Sequence, residues 1–287
     1  MKNILIILTL SLFFIACEKD ITVDLPKTEL KYVVEGYIEE GQHPYIILTK
    51  NSSYYEPISL SDLNDLAVID AEVIVSDGTT TEILQLVFDT LSRPNYKYVG
   101  NTIIGEKGKT YTLEIKVNGK VLTSKTTIPN SVQIDSLKFK LENMPGDTLG
   151  LIWFYFNDPD TLGNYYRMST KVIGQDPVFY YPFSSVSDDK LVNGRQAVPF
   201  SIYRAHGAFE EINAQEFYKW YFTFGNSVVF KFTTMEASTY QFWYTYELIR
   251  SSGGPYATPI TLKSNIDGGV GIWGGYGVSL DTISISN

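Results

Sequence analysis

The stretch TYTLEIKV-NG-KVLTSKTT, residues 110–127, decides the fold class. Its first half alternates apolar and polar residues, the pattern of a strand with one buried face. The apolar positions are Tyr111, Leu113, Ile115 and Val117. Asn118-Gly119 then predicts a two-residue type I′ turn, because both central positions of that turn need a positive φ. The stretch therefore predicts a β-hairpin.

Other short apolar runs surround this hairpin. They cover residues 32–38, 45–49, 72–76, 83–88 and 96–99. With the hairpin they give about seven strands joined by short turns, which is typical of an immunoglobulin-like or prealbumin-like sandwich. We expect this β-sandwich domain to occupy residues 31–128.

A second β-rich domain is predicted over residues 132–287, because Pro129 cannot continue a central strand. Its strand candidates are residues 137–141, 149–156, 165–172 and 228–232. Thr233 and Glu236 fit a capping box, which predicts one long helix over about 234–250 that stops at Gly253-Gly254-Pro255. Phe242, Tyr246 and Ile249 would share one face of it. The fold class is therefore mainly β.

Charge and cysteine content exclude several classes of protein. The chain of 287 residues has 23 Lys+Arg against 32 Asp+Glu, a net charge of −9. A nucleic-acid partner is not expected, because binding a phosphate backbone needs clustered positive charge. The one cysteine excludes an intrachain disulfide and a cysteine-rich zinc site.

That cysteine lies where a lipid anchor would be attached. Residues 1–16 have a basic start and an apolar run too short to span a bilayer, which predicts a signal peptide. The run ends in Ala16-Cys17, which resembles a bacterial lipoprotein signal. We expect a covalent lipid on Cys17, an acylated tether over residues 17–30 and attachment to a membrane. Glu18-Lys19-Asp20 resembles the export signals that place Bacteroidetes lipoproteins on the outer face of the outer membrane. The alternative is that these residues are only a solvated tether and that the protein faces the periplasm.

A glycine-rich stretch near the C-terminus matches the letters of a dinucleotide-binding motif. Residues 269–274 match G-x-G-x-x-G, but a dinucleotide site needs a helix directly afterwards and an acidic residue about 20 positions on. The sequence favours instead a glycine-rich β segment with closely approaching backbones. Trp273 and Tyr276 within and beside it are either core residues or part of an exposed ligand surface.

Acidic side chains occur in three places that could carry chemistry. Asn157-Asp158-Pro159-Asp160 and Asp188-Asp189 offer oxygen ligands, but they lack the spacing of an EF-hand and are more typical of turns. Glu210, Glu211 and Glu216 are candidates for a hydrolytic carboxylate pair, but their acidic side chains are the only feature that suggests this role. We assign no catalytic residue, no metal and no cofactor besides the lipid, and we expect no enzyme activity.

The tripeptide Asp-Ser/Thr-Leu/Ile occurs five times. Its hydroxyl residues are Thr90, Ser136, Thr148, Thr161 and Thr282. The pattern resembles the O-glycosylation consensus of exported Bacteroidetes proteins, which makes these residues candidate modification sites. A structural alternative is that Asp and Thr form a turn and the apolar residue then starts a strand.

The order of several short motifs resembles a known family. The motifs are Cys17–Pro26 (CEKDITVDLP), VVEGYI at 33–38, PYIILT at 44–49, GKTYTL at 108–113, IDSL at 134–137, Asp158-Pro159 with NYYR at 164–167, and SNIDGGVG at 264–271. This order is similar to that of the Bacteroidetes outer-membrane lipoproteins of domain of unknown function 4249. The resemblance implies an N-terminal sandwich, a β-rich second domain and an accessory role beside a TonB-dependent transporter, and it transfers no catalytic residue.

Two functions follow as expectations. The first is an outer-membrane lipoprotein that serves as a binding or accessory subunit of a TonB-dependent transporter or another envelope complex. The second is a stand-alone surface lipoprotein that binds carbohydrate or peptide, since 21 tyrosines could line a ligand platform. A hydrolase with an unrecognised carboxylate pair is a third hypothesis.

Overall fold

A computed structural model describes residues 29–52, 62–142, 148–207, 210, 212–252 and 260–286. The predicted signal peptide, Cys17 and nearly all of the predicted tether lie outside these residues. The strands are β1 Tyr32–Glu39, β2 Tyr45–Lys50, β3 Glu72–Ser76, β4 Thr81–Ile83, β5 Gln85–Phe88, β6 Tyr96–Val99, β7 Thr110–Val117, β8 Lys120–Thr127, β9 Ile134–Leu141, β10 Leu149–Phe156, β11 Tyr165–Val172, β12 Val186–Asp188, β13 Val198–Ile202, β14 Phe222–Thr223, β15 Ser227–Met235 and β16 Val270–Ser284. The long helix α1 is Ala237–Ser251, and 3-10 turns cover Asp62–Asn64 and Ala214–Trp220. The prediction of a mainly β protein is confirmed.

One eight-stranded sheet runs through the molecule in the order β12-β11-β15-β16-β1-β2-β6-β5. A sheet in the order β4-β3-β7-β8 packs on the half that contains β1, and we call this pair the N-terminal sandwich. A sheet in which β10 pairs with β9, β13 and β14 packs on the half that contains β11, and this pair is the C-terminal sandwich. The hairpin of β7 and β8 is confirmed, with φ of 47° at Asn118 and 75° at Gly119.

The last strand joins the two sandwiches. β16 pairs in parallel with β1 and antiparallel with β15, so it lies in the middle of the shared sheet. Its side chains enter both cores, Trp273 in the N-terminal sandwich and Ile285, just beyond the strand, in the C-terminal one. The predicted boundary between residues 128 and 132 therefore does not separate two independent sandwiches.

The glycine-rich stretch is part of this junction. Gly271 has a φ of +132°, and a Cβ added there would lie 1.9 Å from the Val34 carbonyl oxygen on β1. Only glycine allows the two backbones to come this close. The interpretation of residues 269–274 as a β segment with close backbone approach is thus confirmed.

Trp273 and Tyr276 are buried and form no ligand surface, so that alternative is wrong for both. Their burial follows from the central position of β16, which is covered on both faces. The Trp273 indole Nε1 donates to the Tyr111 carbonyl oxygen at 3.2 Å. The Tyr276 hydroxyl accepts from the indole Nε1 of Trp243 on α1 at 2.8 Å.

The predicted helix exists, but its capping box is wrong. β15 continues to Met235, and the Thr233 hydroxyl donates to the Arg167 carbonyl oxygen on the neighbouring strand at 3.1 Å. The Glu236 carboxylate instead accepts from the Thr127 N–H at 2.8 Å and so ties the helix start to β8. Both side chains therefore bond to residues of other strands instead of capping the start of α1.

The buried face of α1 also differs from the prediction. Thr239, Phe242 and Trp243 are buried, whereas Tyr246 and Ile249 remain partly exposed. The predicted stop at residues 253–255 lies outside the described residues. Among the described residues, no helix has both the length and the hydropathy needed to span a bilayer.

The predicted single strand at residues 83–88 is two strands. The chain leaves one sheet after β4, buries Leu84 and enters the central sheet as β5. Because each half pairs in a different sheet, an apolar run in sequence could not show the break. The short strands β12, β13 and β14 have no counterpart in the sequence prediction.

Candidate functional site

A cavity of about 790 Å³ opens at one edge of the C-terminal sandwich. It lies between β12 and β13, each of which ends its sheet. Its aromatic lining residues are Phe183, Phe200, Tyr203, Phe217, Trp220 and Tyr221. The volume falls in the range of ordinary small-ligand sites, about 300–1,000 Å³. We call this cavity the aromatic pocket.

A short capped turn presents one wall of the aromatic pocket. The Asn213 side chain accepts from the N–H groups of Gln215 and Glu216 at 3.0 and 3.1 Å, and the Glu216 carboxylate accepts from the Asn213 N–H. This reciprocal cap starts the turn Ala214–Trp220. Phe217 and Trp220, three residues apart on the turn, both line the pocket.

Backbone and ring contacts hold this wall against β13. The Arg204 N–H donates to the Trp220 carbonyl oxygen at 3.0 Å. The Tyr203 and Tyr221 rings meet edge to face with centroids 5.6 Å apart. The His206 ring meets Trp220 edge to face at 5.4 Å, and its Nε2 lies 2.7 Å from the Lys219 carbonyl oxygen. These hydrogen bonds and ring contacts hold the capped turn in place beside the chain that follows β13.

The floor of the aromatic pocket continues the core. Phe200 on β13 stacks on Phe154 and Phe156 with ring centroids 5.7 and 5.9 Å apart. Phe154 and Phe156 are almost fully buried, while Phe200 is partly open. A ligand in the pocket would therefore contact an extension of the phenylalanine core.

Arg204 is the charged residue of the lining. Its Nη2 lies 3.1 Å from Asp176 Oδ1, and the other carboxylate oxygen of Asp176 accepts from the Val172 N–H at 2.6 Å. The Nε of Arg204 is buried without a hydrogen-bond partner among the described residues. The positive charge is thus compensated within the protein, while the guanidinium keeps unused donors.

The tyrosine hydroxyl at the pocket rim remains protonated at neutral pH. Burial raises the pKa of Tyr221, and the neighbouring Tyr203 and Glu142 act in the same direction. Tyr203 and serines 184, 187 and 201 supply the other hydroxyls of the lining. The pocket is chemically suited to bind an apolar group and to make a few hydrogen bonds at its rim.

The family model described as Domain of unknown function (DUF4249) matches residues 18–281. The chain belongs to this family. No curated protein matches it. The family resemblance found in the sequence motifs is thereby confirmed.

The acidic turns of this DUF4249 protein have structural partners. Buried Asp158 accepts from the Tyr166 hydroxyl and from the Gly194 N–H, and buried Asp189 accepts from the N–H groups of Gly163 and Asn164 at 2.8 and 2.9 Å. The described residues contain no group of three or more metal-binding side chains. The interpretation of residues 157–160 as a turn is supported by these bonds, whereas at Asp188-Asp189 it holds only for Asp189, because Asp188 is the last residue of β12.

The predicted hydrolytic carboxylates do not line the aromatic pocket. Glu216 caps its turn and pairs with Lys219 at 2.7 Å, and Glu210 lies 3.1 Å from His206 Nδ1. Glu211 lies outside the described residues. The described lining contains neither aspartate nor glutamate, so it supplies no carboxylate pair.

The candidate modification sites lie mostly on the surface. Thr90, Thr148, Thr161 and Thr282 are exposed, and Ser136 is half-buried in β9. The structural alternative holds at one of the five sites, where Leu149 starts β10. Leu91 and Leu162 start no strand and are 56% and 71% exposed, whereas Leu137 and Ile283 lie inside β9 and β16. Modification of these hydroxyls stays a prediction.

Sequence reasoning missed the aromatic pocket. Its residues come from 168–221, a stretch dominated by loops and very short strands, where periodicity gives no signal. Two dense aromatic runs, FYYPF at 179–183 and FYKWYF at 217–222, were the available clue. Both runs contribute side chains to the lining.

Proposed function

We propose that this DUF4249 protein is an outer-membrane lipoprotein that binds a ligand in its aromatic pocket and serves as an accessory subunit of a TonB-dependent transporter. The observation that carries the binding role is the open cavity with aromatic walls. Exposed aromatic side chains bury much apolar area at low entropic cost, which is why they dominate many binding sites.

The anchor supports the location. Cys17 follows a signal-like segment, and several acyl chains at about 0.8 kcal/mol per CH₂ give stable attachment. The fourteen residues from 17 to 30 reach at most about 46–50 Å. A tether of that reach lets the sandwiches meet a neighbouring membrane protein from a distance. We also propose that the protein is exposed on the cell surface, because the acidic residues after Cys17 resemble the export signals of surface lipoproteins.

The anchor is tested by exchanging Cys17→Ser in the native host. We expect the wild-type chain to take up an alkyne-tagged palmitate and to sediment with outer membranes. The C17S chain should take up no label. A labelled C17S chain would contradict lipidation at this cysteine.

The accessory role is tested by cross-linking in intact cells, followed by purification from detergent and mass spectrometry. An outer-membrane barrel protein should be recovered with the wild-type chain. It should not be recovered with an equally abundant, unrelated surface lipoprotein carrying the same tag. Recovery of no barrel protein would contradict the accessory role.

The aromatic pocket equally favours the second function, a stand-alone surface lipoprotein that binds carbohydrate or peptide. The two functions differ in the partner and not in the pocket. Ligand binding by the soluble chain 18–287, together with a failure to recover any barrel protein, would favour the stand-alone protein.

A further inference from the structure

We infer that the ligand of the aromatic pocket is an uncharged apolar peptide segment that lies extended along β13. This inference rests on the proposed binding function of the same pocket. Three observations support it: the polar inventory of the lining, the balance of charge around it and the free edge of β13.

The lining is mostly apolar, which suits a sugar poorly. Ten of its fourteen described residues are apolar or aromatic, and its hydrogen-bonding side chains are three serines, Arg204, the hydroxyls of Tyr203 and Tyr221 and the Trp220 indole. No described lining residue is Asp, Glu, Asn or Gln. Each sugar ring carries several hydroxyls that lose water on burial, and an unpaired buried hydroxyl costs about 1–3 kcal/mol. An aliphatic or aromatic side chain needs no such partners.

The charges at the aromatic pocket are already paired. Arg204 lies beside Asp176 at 3.1 Å, and Lys219 on the capped turn lies 2.7 Å from Glu216. A charged ligand group would leave water without gaining an unpaired counter-ion, which is unfavourable. An uncharged ligand is the electrostatic complement of this site.

The free edge of β13 supplies the peptide-specific element. β13 pairs with β10 on one side and has no strand partner on the other among the described residues. Pro199 within it is typical of an edge strand and has no N–H, so an added strand would pair with the N–H and carbonyl groups of the other residues of this edge. An added strand would gain main-chain hydrogen bonds from this edge, and every second side chain could enter a pocket. Phe200, Ser201 and Ile202 on β13 line the pocket.

The strand length sets the size of the ligand. β13 has five residues, so a segment of about five residues can pair along it. The opposite edge, β12, offers less, because the Ser185 N–H just before it already donates to Glu247 on α1. We therefore assign the main-chain pairing to β13 alone.

The test uses the soluble chain 18–287 and three immobilised probe sets. The first holds capped five-residue peptides of uncharged residues, the second holds the same peptides with a central Asp or Lys, and the third holds neutral oligosaccharides. We expect uncharged peptides with Phe or Leu at alternating positions to bind best. N-methylation of alternate backbone nitrogens in the best peptide should weaken its binding at least tenfold, since it removes the main-chain donors.

Pocket variants locate the binding. Trp220→Ala and, as a second variant in case the first misfolds, Phe217→Ala should each weaken the best peptide at least tenfold. Tyr244→Ala is the matched control, since this tyrosine is 44% exposed on α1 and does not line the pocket. It should leave binding unchanged. Circular dichroism confirms that each variant is folded.

The outcomes distinguish a failure of the peptide inference from a failure of the proposed binding function. Binding of glycans or of charged peptides that is lost in Trp220→Ala would overturn the peptide inference and leave the binding function standing. Tight peptide binding that resists N-methylation would overturn the pairing along β13. If no probe shows binding that depends on Trp220 or Phe217, the proposed binding function itself is overturned.

Discussion

The two sandwiches share a sheet but differ in what fills them. Among the residues that the structure describes, the N-terminal core has nineteen buried hydrophobic residues, of which four are aromatic. On the same basis the C-terminal core has fourteen, of which six are aromatic, five of them phenylalanines. Aromatic rings prefer offset-stacked and edge-to-face contacts over face-to-face ones. The phenylalanine stack reaches the edge of its sandwich at Phe200 and opens there into the aromatic pocket.

The difference teaches that the described lining of the aromatic pocket comes from one half of the molecule. All of its described residues lie on the C-terminal side, between residues 168 and 221, and we call the N-terminal sandwich together with β16 the frame. Because β16 belongs to both sandwiches, changes at the junction should affect the whole molecule, while changes at the pocket should affect binding alone.

Removal of β16 should have the largest effect. A chain that ends at residue 269 lacks Trp273 in one core and Ile285 in the other, and it leaves β1 and β15 without their shared partner. We expect neither sandwich to fold, which near-ultraviolet circular dichroism and limited proteolysis would show. A chain ending at residue 286 should fold normally. A protease-resistant N-terminal fragment from the shorter chain would show that the halves are independent after all.

Alanine substitution of two tryptophans compares the stability contribution of a core residue with that of a residue lining the aromatic pocket. Trp273→Ala should lower the free energy of unfolding by about 3–5 kcal/mol, because the side chain is fully buried. Trp220→Ala should change it by less than about 1 kcal/mol, because this residue is 38% exposed at the pocket. Urea denaturation measures both. Equal losses for the two variants would mean that the pocket wall is part of the frame.

A buried arginine beside the junction should have an intermediate effect. The Arg167 guanidinium lies between the rings of Tyr181 and Trp243, 3.6 and 3.5 Å from their centroids. Arg167→Lys keeps the charge but loses the planar stacking, and we expect a loss of about 2 kcal/mol in unfolding free energy.

The control for Arg167 is an exposed cation on the N-terminal sandwich. Lys120 lies 5.9 Å from the centroid of the Tyr32 ring. Lys120→Gln should cost no more than about 1 kcal/mol. If Arg167→Lys cost as little, stacking would not be what holds α1 against the sheet at this point.

The smallest effect is expected from a turn of the N-terminal sandwich. Hydrogen bonds from Lys109 and from the N–H groups of Thr80 and Thr79 hold the pKa of the Asp77 carboxyl well below its usual range. A lowered native pKa stabilises the fold above the unfolded value of about 3.9, and this contribution is lost as the pH falls through the native pKa. The difference in unfolding free energy between wild type and Asp77→Asn should therefore shrink from pH 6 towards pH 2. A difference that stays constant would contradict the assignment, and peptide binding at neutral pH should not change.

Local features of the fold were predictable from the sequence, and non-local ones were not. The hairpin around Asn118-Gly119 follows from alternation and turn chemistry within eighteen residues. The parallel pairing of β1 with β16 depends on a register between distant segments, which no local pattern encodes. The capping box failed for the same reason, since Thr233 and Glu236 found partners on other strands.

The candidate site was the least predictable part. For Trp273 and Tyr276 the sequence left both a core role and an exposed ligand surface open, and their burial follows from the close backbone contact that the neighbouring glycines allow within the sheet. The true aromatic pocket is assembled from loops and a capped turn whose aromatic residues lack any period. The high density of aromatic residues at 179–183 and 217–222 was the one sequence feature that indicated the aromatic pocket.

The pairing of the first strand with the last has a consequence for biogenesis. A ribosome delivers β1 early and β16 at the end, so the central sheet cannot be completed before the final segment is released. Until then Val34 and Ile38 lack Trp273, which belongs to the same core in the finished protein. The order of strands thus postpones completion of the N-terminal core until residues 270–284 have been synthesised.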